Sequence, residues 1–188
     1  MTRPQIENLP VQDAFLWRLP KYVDARGFFA EAFRLAWSES SMLPPFVQDN
    51  ISYSTRGVLR GLHFQKPPRP QAKLVTVLRG SIRDVIVDLR PSSPTFKHWA
   101  AVELSDQGAY FTWLYVPIGF AHGFYVLSEE AVVWYRCSAY YDPALDAGVR
   151  WNDPELGIEW GIAEPPILSN KDASLPFFDE QSNPFAEL

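Results

Sequence analysis

The chain has a single cysteine, Cys137, among 188 residues, so no disulfide can close within it and a reducing cytoplasm is the compartment it fits. It also lacks a basic field. Lys and Arg number 17 against 22 Asp and Glu, a net charge of -5, which argues against nucleic acid as a partner and means that any phosphate ligand needs a local cluster of cations. Long apolar runs are missing too. The opening residues MTRPQIENLPVQDAF carry no signal-peptide core, and no segment approaches the length of a membrane span. Sustained helical periodicity is nearly absent. Together these absences predict a soluble, cytoplasmic, non-helical protein, most simply one domain over residues 1–188.

What is present is strand-like. Short runs of β-branched and aromatic residues alternate with Gly, Pro, Asn and Asp, and the 15% aromatic content favours sheet. Strands are expected near Phe28 to Leu35, Val47 to Ser54, Gly57 to Phe64, Lys73 to Leu78, Ser81 to Leu89, Trp99 to Leu104, Phe111 to Val116, His122 to Leu127 and Val132 to Ala139. So many short strands at near-regular spacing predict an all-β sandwich or barrel. A helical turn or two is expected over Ala36 to Met42, stopped by Pro44 and Pro45. The tail from Pro165 is expected to wrap the barrel.

One spacing carries chemistry. Gly57 and His63, then Lys73 and Gly80, resemble the first motif of the cupin jelly rolls, and Pro117-Ile118-Gly119 followed by His122 resembles the second. Metal-binding cupins place His-x-His and Glu in the first motif. Here Gln65 stands at the second His and Lys73 at the Glu, and an ammonium among the ligands of a divalent cation is unfavourable. No metal site is expected. His63 must then be a hydrogen-bonded core residue or a proton-transfer group. Arg60 lies an odd number of positions from it and faces the other way in a regular strand, unless a bulge falls at Gly61.

The segments RGFFAEAF, FVQDNISYS, GVLRGLHFQ, QAKLV, GSIRDVIVDLR, PIGFAHGFYVLSEEA, WNDPELGIEW and LSNKDA resemble, in order and spacing, the dTDP-4-dehydrorhamnose 3,5-epimerase family, over about Arg26 to Ala173. The resemblance implies a cupin-type jelly roll acting on a nucleotide-linked 4-keto-6-deoxyhexose. The C4 carbonyl acidifies the protons at C3 and C5, so epimerisation needs a base, a group to hold the enolate oxygen, and an acid on the opposite face, but no redox cofactor. By resemblance His63 is the base, Asp172 the carboxylate behind it, Lys73 the enolate stabiliser and Tyr135 the acid. His122 either holds the same oxygen, binds sugar or packs in the core. Val132 departs from the acidic residue common in that position before the tyrosine. The resemblance further assigns Arg26, Glu31, Gln48, Asn50, Arg60 and Lys171 to nucleotide and sugar, Tyr141 to stacking on thymine, and Asp146 to a place where Glu is more usual. Arg26, Phe29 and Glu31 carry one more implication, a homodimer whose N-terminal strand crosses into the partner's sheet. A single-carbon epimerase of a deoxysugar pathway and a non-catalytic sugar-binding cupin remain open as alternatives.

Overall fold

Residues that alternate along a strand point to opposite faces of its sheet, so the sequence pattern decides what each sheet buries. The computed structural model of the chain describes residues 3–162 and 164–186. Its strands are β1 (Gln5–Asn8), β2 (Phe15–Pro20), β3 (Tyr22–Asp24), β4 (Gly27–Phe29), β5 (Gln48–Thr55), β6 (Leu59–Gln65), β7 (Lys73–Arg79), β8 (Ser81–Asp88), β9 (Trp99–Ser105), β10 (Tyr110–Val116), β11 (Phe120–Val126), β12 (Glu130–Cys137) and β13 (Asp146–Gly148). Two short helices, α1 (Leu35–Ser40) and α2 (Asn170–Ala173), lie outside them. An antiparallel six-stranded sheet in the order β1-β2-β10-β7-β12-β5 faces a five-stranded one in the order β13-β6-β11-β8-β9, with β3-β4 a separate hairpin. The all-β jelly roll is therefore the observed class. Among the described residues no helix is long and apolar enough to cross a membrane.

Three apolar layers result. Between the sheets, alternate residues such as Val75, Val77, Ile82, Ile86, Leu114 and Val133 meet. Outside the six-stranded sheet, Trp17, Leu74 and Trp113 pack with Trp37 of α1. Outside the five-stranded sheet, Leu62, Val85 and Val87 are covered by residues of the C-terminal third, including Trp160, Phe178 and Phe185. Each buried ring or aliphatic chain contributes roughly 1.5–3 kcal/mol. The four-residue α2 has too few turns to be stable alone, so these apolar anchors are what hold it in place.

The strand expected from Phe28 to Leu35 stops at Phe29. Beyond it the carbonyl of Ala32 accepts from the indole Nε1 of Trp113 at 2.6 Å, which ties the segment across the outer face instead of into a ladder. Strands β1, β2, β3 and β13 were not anticipated: QIEN is exposed throughout, FLWRLP buries both faces and ends in proline, and YVD and DAG are too short to show a period.

Register also settles the orientation of Arg60. His63 pairs with His122 but Arg60 pairs with Phe124, so two residues of β6, Gly61 and Leu62, oppose one of β11, Gly123. The extra residue is a bulge, and it returns Arg60 to the side that His63 faces. Gly61 makes it possible: its φ is +134°, and a Cβ there would sit 2.5 Å from the Cα of Gly123.

Candidate active site

The space between the sheets is filled with apolar side chains at one end and opens into a polar cavity of about 230 Å³ at the other. Both parts come from the same strands. On β7 the inward positions run Lys73, Val75, Val77, and on β12 they run Ala131, Val133, Tyr135, Cys137, so each strand passes from core to cavity. The cavity is lined by Gln48 and Asn50 of β5, His63, Phe64 and Gln65 of β6, Lys73, Tyr135 and Cys137, with Gln71 and Tyr141 from loops, Asp146 from β13 and Lys171 from α2 at its mouth. A larger hollow of about 620 Å³ lies between residues 8–15 and 41–43, but its one carboxylate, Asp13, is committed to Arg90. It offers volume without chemistry.

His63 stands on the five-stranded sheet and Tyr135 on the six-stranded one, so the imidazole and the phenol enter the cavity from opposite walls. Behind the imidazole lies Asp172, 109 residues away in sequence, whose Oδ1 is 2.5 Å from Nε2. Ser169 caps α2 and fixes that carboxylate: its hydroxyl donates to Asp172 Oδ2 at 2.8 Å and accepts from the Asp172 N–H. Burial alone would raise the Asp172 carboxyl. The hydrogen bond and charge of His63, with Ser169 and Lys171, outweigh it and hold the carboxyl below its ordinary value. An ionised carboxylate at Nε2 keeps the proton there and leaves Nδ1 as the nitrogen with a lone pair.

Lys73 is 9% exposed, and its ammonium makes no hydrogen bond to any described residue. Burial pushes its pKa down, opposed by the charges of Cys137, Asp84 and Asp146. Burial likewise raises the Tyr135 phenol, with the Arg60 cation acting the other way. A second imidazole–carboxylate pair lies deeper: His122 Nε2 is 2.8 Å from Oδ1 of Asp84, which is fully buried and whose Oδ2 has no partner among the described residues. Among the described residues, no three His, Cys, Asp or Glu come together as a metal cluster.

The other sequence-predicted residues divide. Gln48, Asn50, Tyr141, Asp146 and Lys171 line the cavity, and Asp146 accepts from both the Tyr141 hydroxyl, at 2.9 Å, and the Lys171 ammonium. Arg60 sits outside the lining, donating to Ser54 Oγ at 2.9 Å and to the Tyr53 carbonyl at 3.0 Å. Arg26, Phe29 and Glu31 are not brought to this cavity at all: Arg26 is exposed and paired with Asp24, while Phe29 and Glu31 border a separate hollow with Trp37. Four lining residues went unpredicted as site residues. Gln65 and Cys137 were within reach of strand alternation from His63 and Tyr135, whereas Phe64 and Gln71 gave no signal.

The profile of the dTDP-4-dehydrorhamnose 3,5-epimerase family matches residues 8–180. The chain belongs to that family. It is 49% identical over 154 residues to the dTDP-4-dehydrorhamnose 3,5-epimerase of Methanothermobacter thermautotrophicus, covering 80% of this chain and 82% of that one. A crystal structure of the dTDP-6-deoxy-D-glucose-3,5-epimerase of Legionella pneumophila in complex with dTDP-4-keto-L-rhamnose superposes with a TM-score of 0.87 at 42% identity, over 92% of each chain. A 3′-monoepimerase from Streptomyces bikiniensis in complex with dTDP-quinovose superposes at 0.83 with 34% identity, over 94% of this chain and 87% of that one. The family member described here is an epimerase, and so an isomerase, on a cupin-like fold.

An unpartnered buried ammonium costs stability, so Lys73→Met is expected to raise the unfolding free energy at pH 7 by about 1–3 kcal/mol while removing turnover. Between the lowered native pKa and the unfolded value near ~10.4, the unfolded chain keeps a proton that the native one has lost, so wild-type stability gains with pH in that window. The advantage of Lys73→Met should therefore shrink as urea titrations move from pH 7 toward pH ~10. A variant less stable than wild type at pH 7 would show that the ammonium is satisfied after all.

Proposed function

We propose that this epimerase inverts C3 and C5 of dTDP-4-keto-6-deoxyglucose to give dTDP-4-keto-rhamnose, in dTDP-L-rhamnose biosynthesis in the cytoplasm. The observation that carries the reading is the cavity itself: a carboxylate-backed imidazole and a phenol on opposite walls, with a buried ammonium between the same two sheets. His63 removes the proton from carbon. The C–H electron pair passes to the C4 carbonyl, and the enolate oxygen is held by the Lys73 ammonium, whose field is strong because water is largely excluded. Tyr135 returns a proton to the other face, and its raised pKa keeps it protonated until then. Both transfers leave the oxidation state unchanged, so no redox cofactor takes part.

Gln48, Asn50, Arg60, Asp146 and Lys171 hold the diphosphate and sugar, and Tyr141 offers its ring to the base. His122, buried against Asp84, contributes to the sugar end. A second reading, inversion at one carbon only, is favoured by the likeness to a 3′-monoepimerase, since the same base and carboxylate serve either reaction. Incubating the purified protein with dTDP-4-keto-6-deoxyglucose and assigning the product by NMR separates the two. Inversion at both carbons is expected; inversion at one supports the second reading. His63→Asn should cut turnover by roughly 10²- to 10⁴-fold with the fold intact, and near-full activity would place the base elsewhere.

The working unit we propose is a homodimer with exchange of the N-terminal strand. The β3-β4 hairpin exposes Val23, Phe28 and Phe29 at 77%, 55% and 69%, and β5, at the end of its sheet, exposes Ile51 and Tyr53. Pairing the hairpin with a partner's edge strand covers both and carries Arg26, Phe29 and Glu31 to the partner's cavity. Light scattering should give twice the chain mass, and Arg26→Ala should weaken nucleotide binding although Arg26 is remote from its own cavity. A monomer with full activity would contradict this.

A further inference from the structure

Gln65 ends β6 two positions beyond His63, points into the barrel and is 3% exposed. Its amide offers two N–H donors and an acceptor oxygen, and all three are used on backbone. Nε2 donates to the carbonyls of Arg69, at 2.5 Å, and Tyr140, at 3.1 Å, while Oε1 accepts from the N–H of Asp142 at 2.9 Å. These atoms belong to the two loops at the cavity mouth, residues 66–72 and 138–145. The residue between, Tyr141, donates its own N–H to Gln48 Oε1 at 2.8 Å. Two glutamine side chains thus hold three consecutive residues.

The held segment has one conspicuous product. The Tyr141 ring remains 54% exposed at the mouth, with its hydroxyl tied to Asp146 and the Lys171 ammonium alongside. An aromatic ring on a fixed backbone binds a planar heterocycle without first ordering a loop, and that saving appears as affinity. We propose that Gln65 is a positioning residue for the nucleotide, acting through the backbone of residues 140–142 to hold the Tyr141 ring where a base stacks. This rests on the nucleotide-sugar reading above. It also gives a reason for an amide at this position: an imidazole has only two ring nitrogens to offer, and cannot meet two carbonyls and an N–H at once.

The test is calorimetric titration with dTDP alone, which needs no turnover. Gln65→Leu should weaken dTDP binding by roughly tenfold or more, since three hydrogen bonds that order the platform are lost. In turnover, KM should rise by a larger factor than kcat falls. If Gln65 acts through Tyr141, then adding Gln65→Leu to Tyr141→Ala should weaken binding little beyond Tyr141→Ala itself. Should Gln65→Leu fail to fold, Gln65→Glu carries the same test, because it keeps the size but sets a carboxylate against two carbonyls. Unchanged dTDP affinity in a folded variant, or full additivity with Tyr141→Ala, overturns the proposal. A wild-type protein that binds dTDP but leaves the keto sugar unchanged contradicts the epimerase reading alone, and one that does not bind dTDP contradicts both.

Discussion

Strand register is the constraint on which the rest of this structure depends. The same strands that close an apolar core at one end of the jelly roll supply the polar cavity at the other, and a slip of one residue on any of them exchanges inside for outside. Sliding β7 by one position would bury Leu74 where Lys73 stands, and sliding β12 would replace Tyr135 with Trp134. The apolar half therefore does more than stabilise. Val75, Val77, Ala131 and Val133 are what make the correct register the favourable one, and the side chains that line the cavity are carried along in that register. The register shifts at two places, between β12 and β7 at Val132 and Val133 and between β6 and β11 at Gly61, and the second turns Arg60 to the face of His63.

The cavity spends part of the stability that the core supplies. A lysine 9% exposed whose ammonium makes no hydrogen bond to a described residue, and an Asp84 oxygen buried without a partner among them, are arrangements that a protein selected only for stability would lose. Under the mechanism proposed above, the ammonium has a purpose. A charge held ready in a site largely closed to water needs no reorganisation when an enolate forms. His63, by contrast, is well supported, and its support comes from the far end of the chain. The tail is fixed by Phe178 and Phe185 in the outer layer and by Asn183 donating to the Leu89 carbonyl at 2.7 Å, and only then can α2 present Asp172.

How much of this was legible in the sequence follows from which contacts are local. Period-two alternation and turn residues marked eight strands near their observed places, because half-buried strands write their pattern into adjacent residues. Strands β1, β2, β3 and β13 carry no such pattern and were missed. Within the site, the cupin-like spacing brought His63 and Lys73 together in one motif. Asp172 was another matter: a contact across 109 residues leaves no trace in spacing, and it was reached through family resemblance. Parity alone had left Arg60 facing away from His63 unless a bulge intervened, and the glycine that permits the bulge was visible while the register that requires it was not. The role of Gln65 was hidden for a different reason, since its partners are backbone atoms that any loop sequence would provide.

The central claim is that protons leave by His63 and return by Tyr135 across a shared cavity. It is tested most directly by deuterium incorporation from D₂O, followed by NMR at C3 and C5 of dTDP-4-keto-6-deoxyglucose in the wild type and in Tyr135→Phe. Wild-type enzyme is expected to take up deuterium at both carbons with inversion. In Tyr135→Phe, abstraction by His63 survives and delivery to the opposite face fails, so deuterium should appear with retained configuration or with inversion at one carbon only. Absence of exchange in the wild type despite measurable binding, or unaltered double inversion in Tyr135→Phe, would contradict the account.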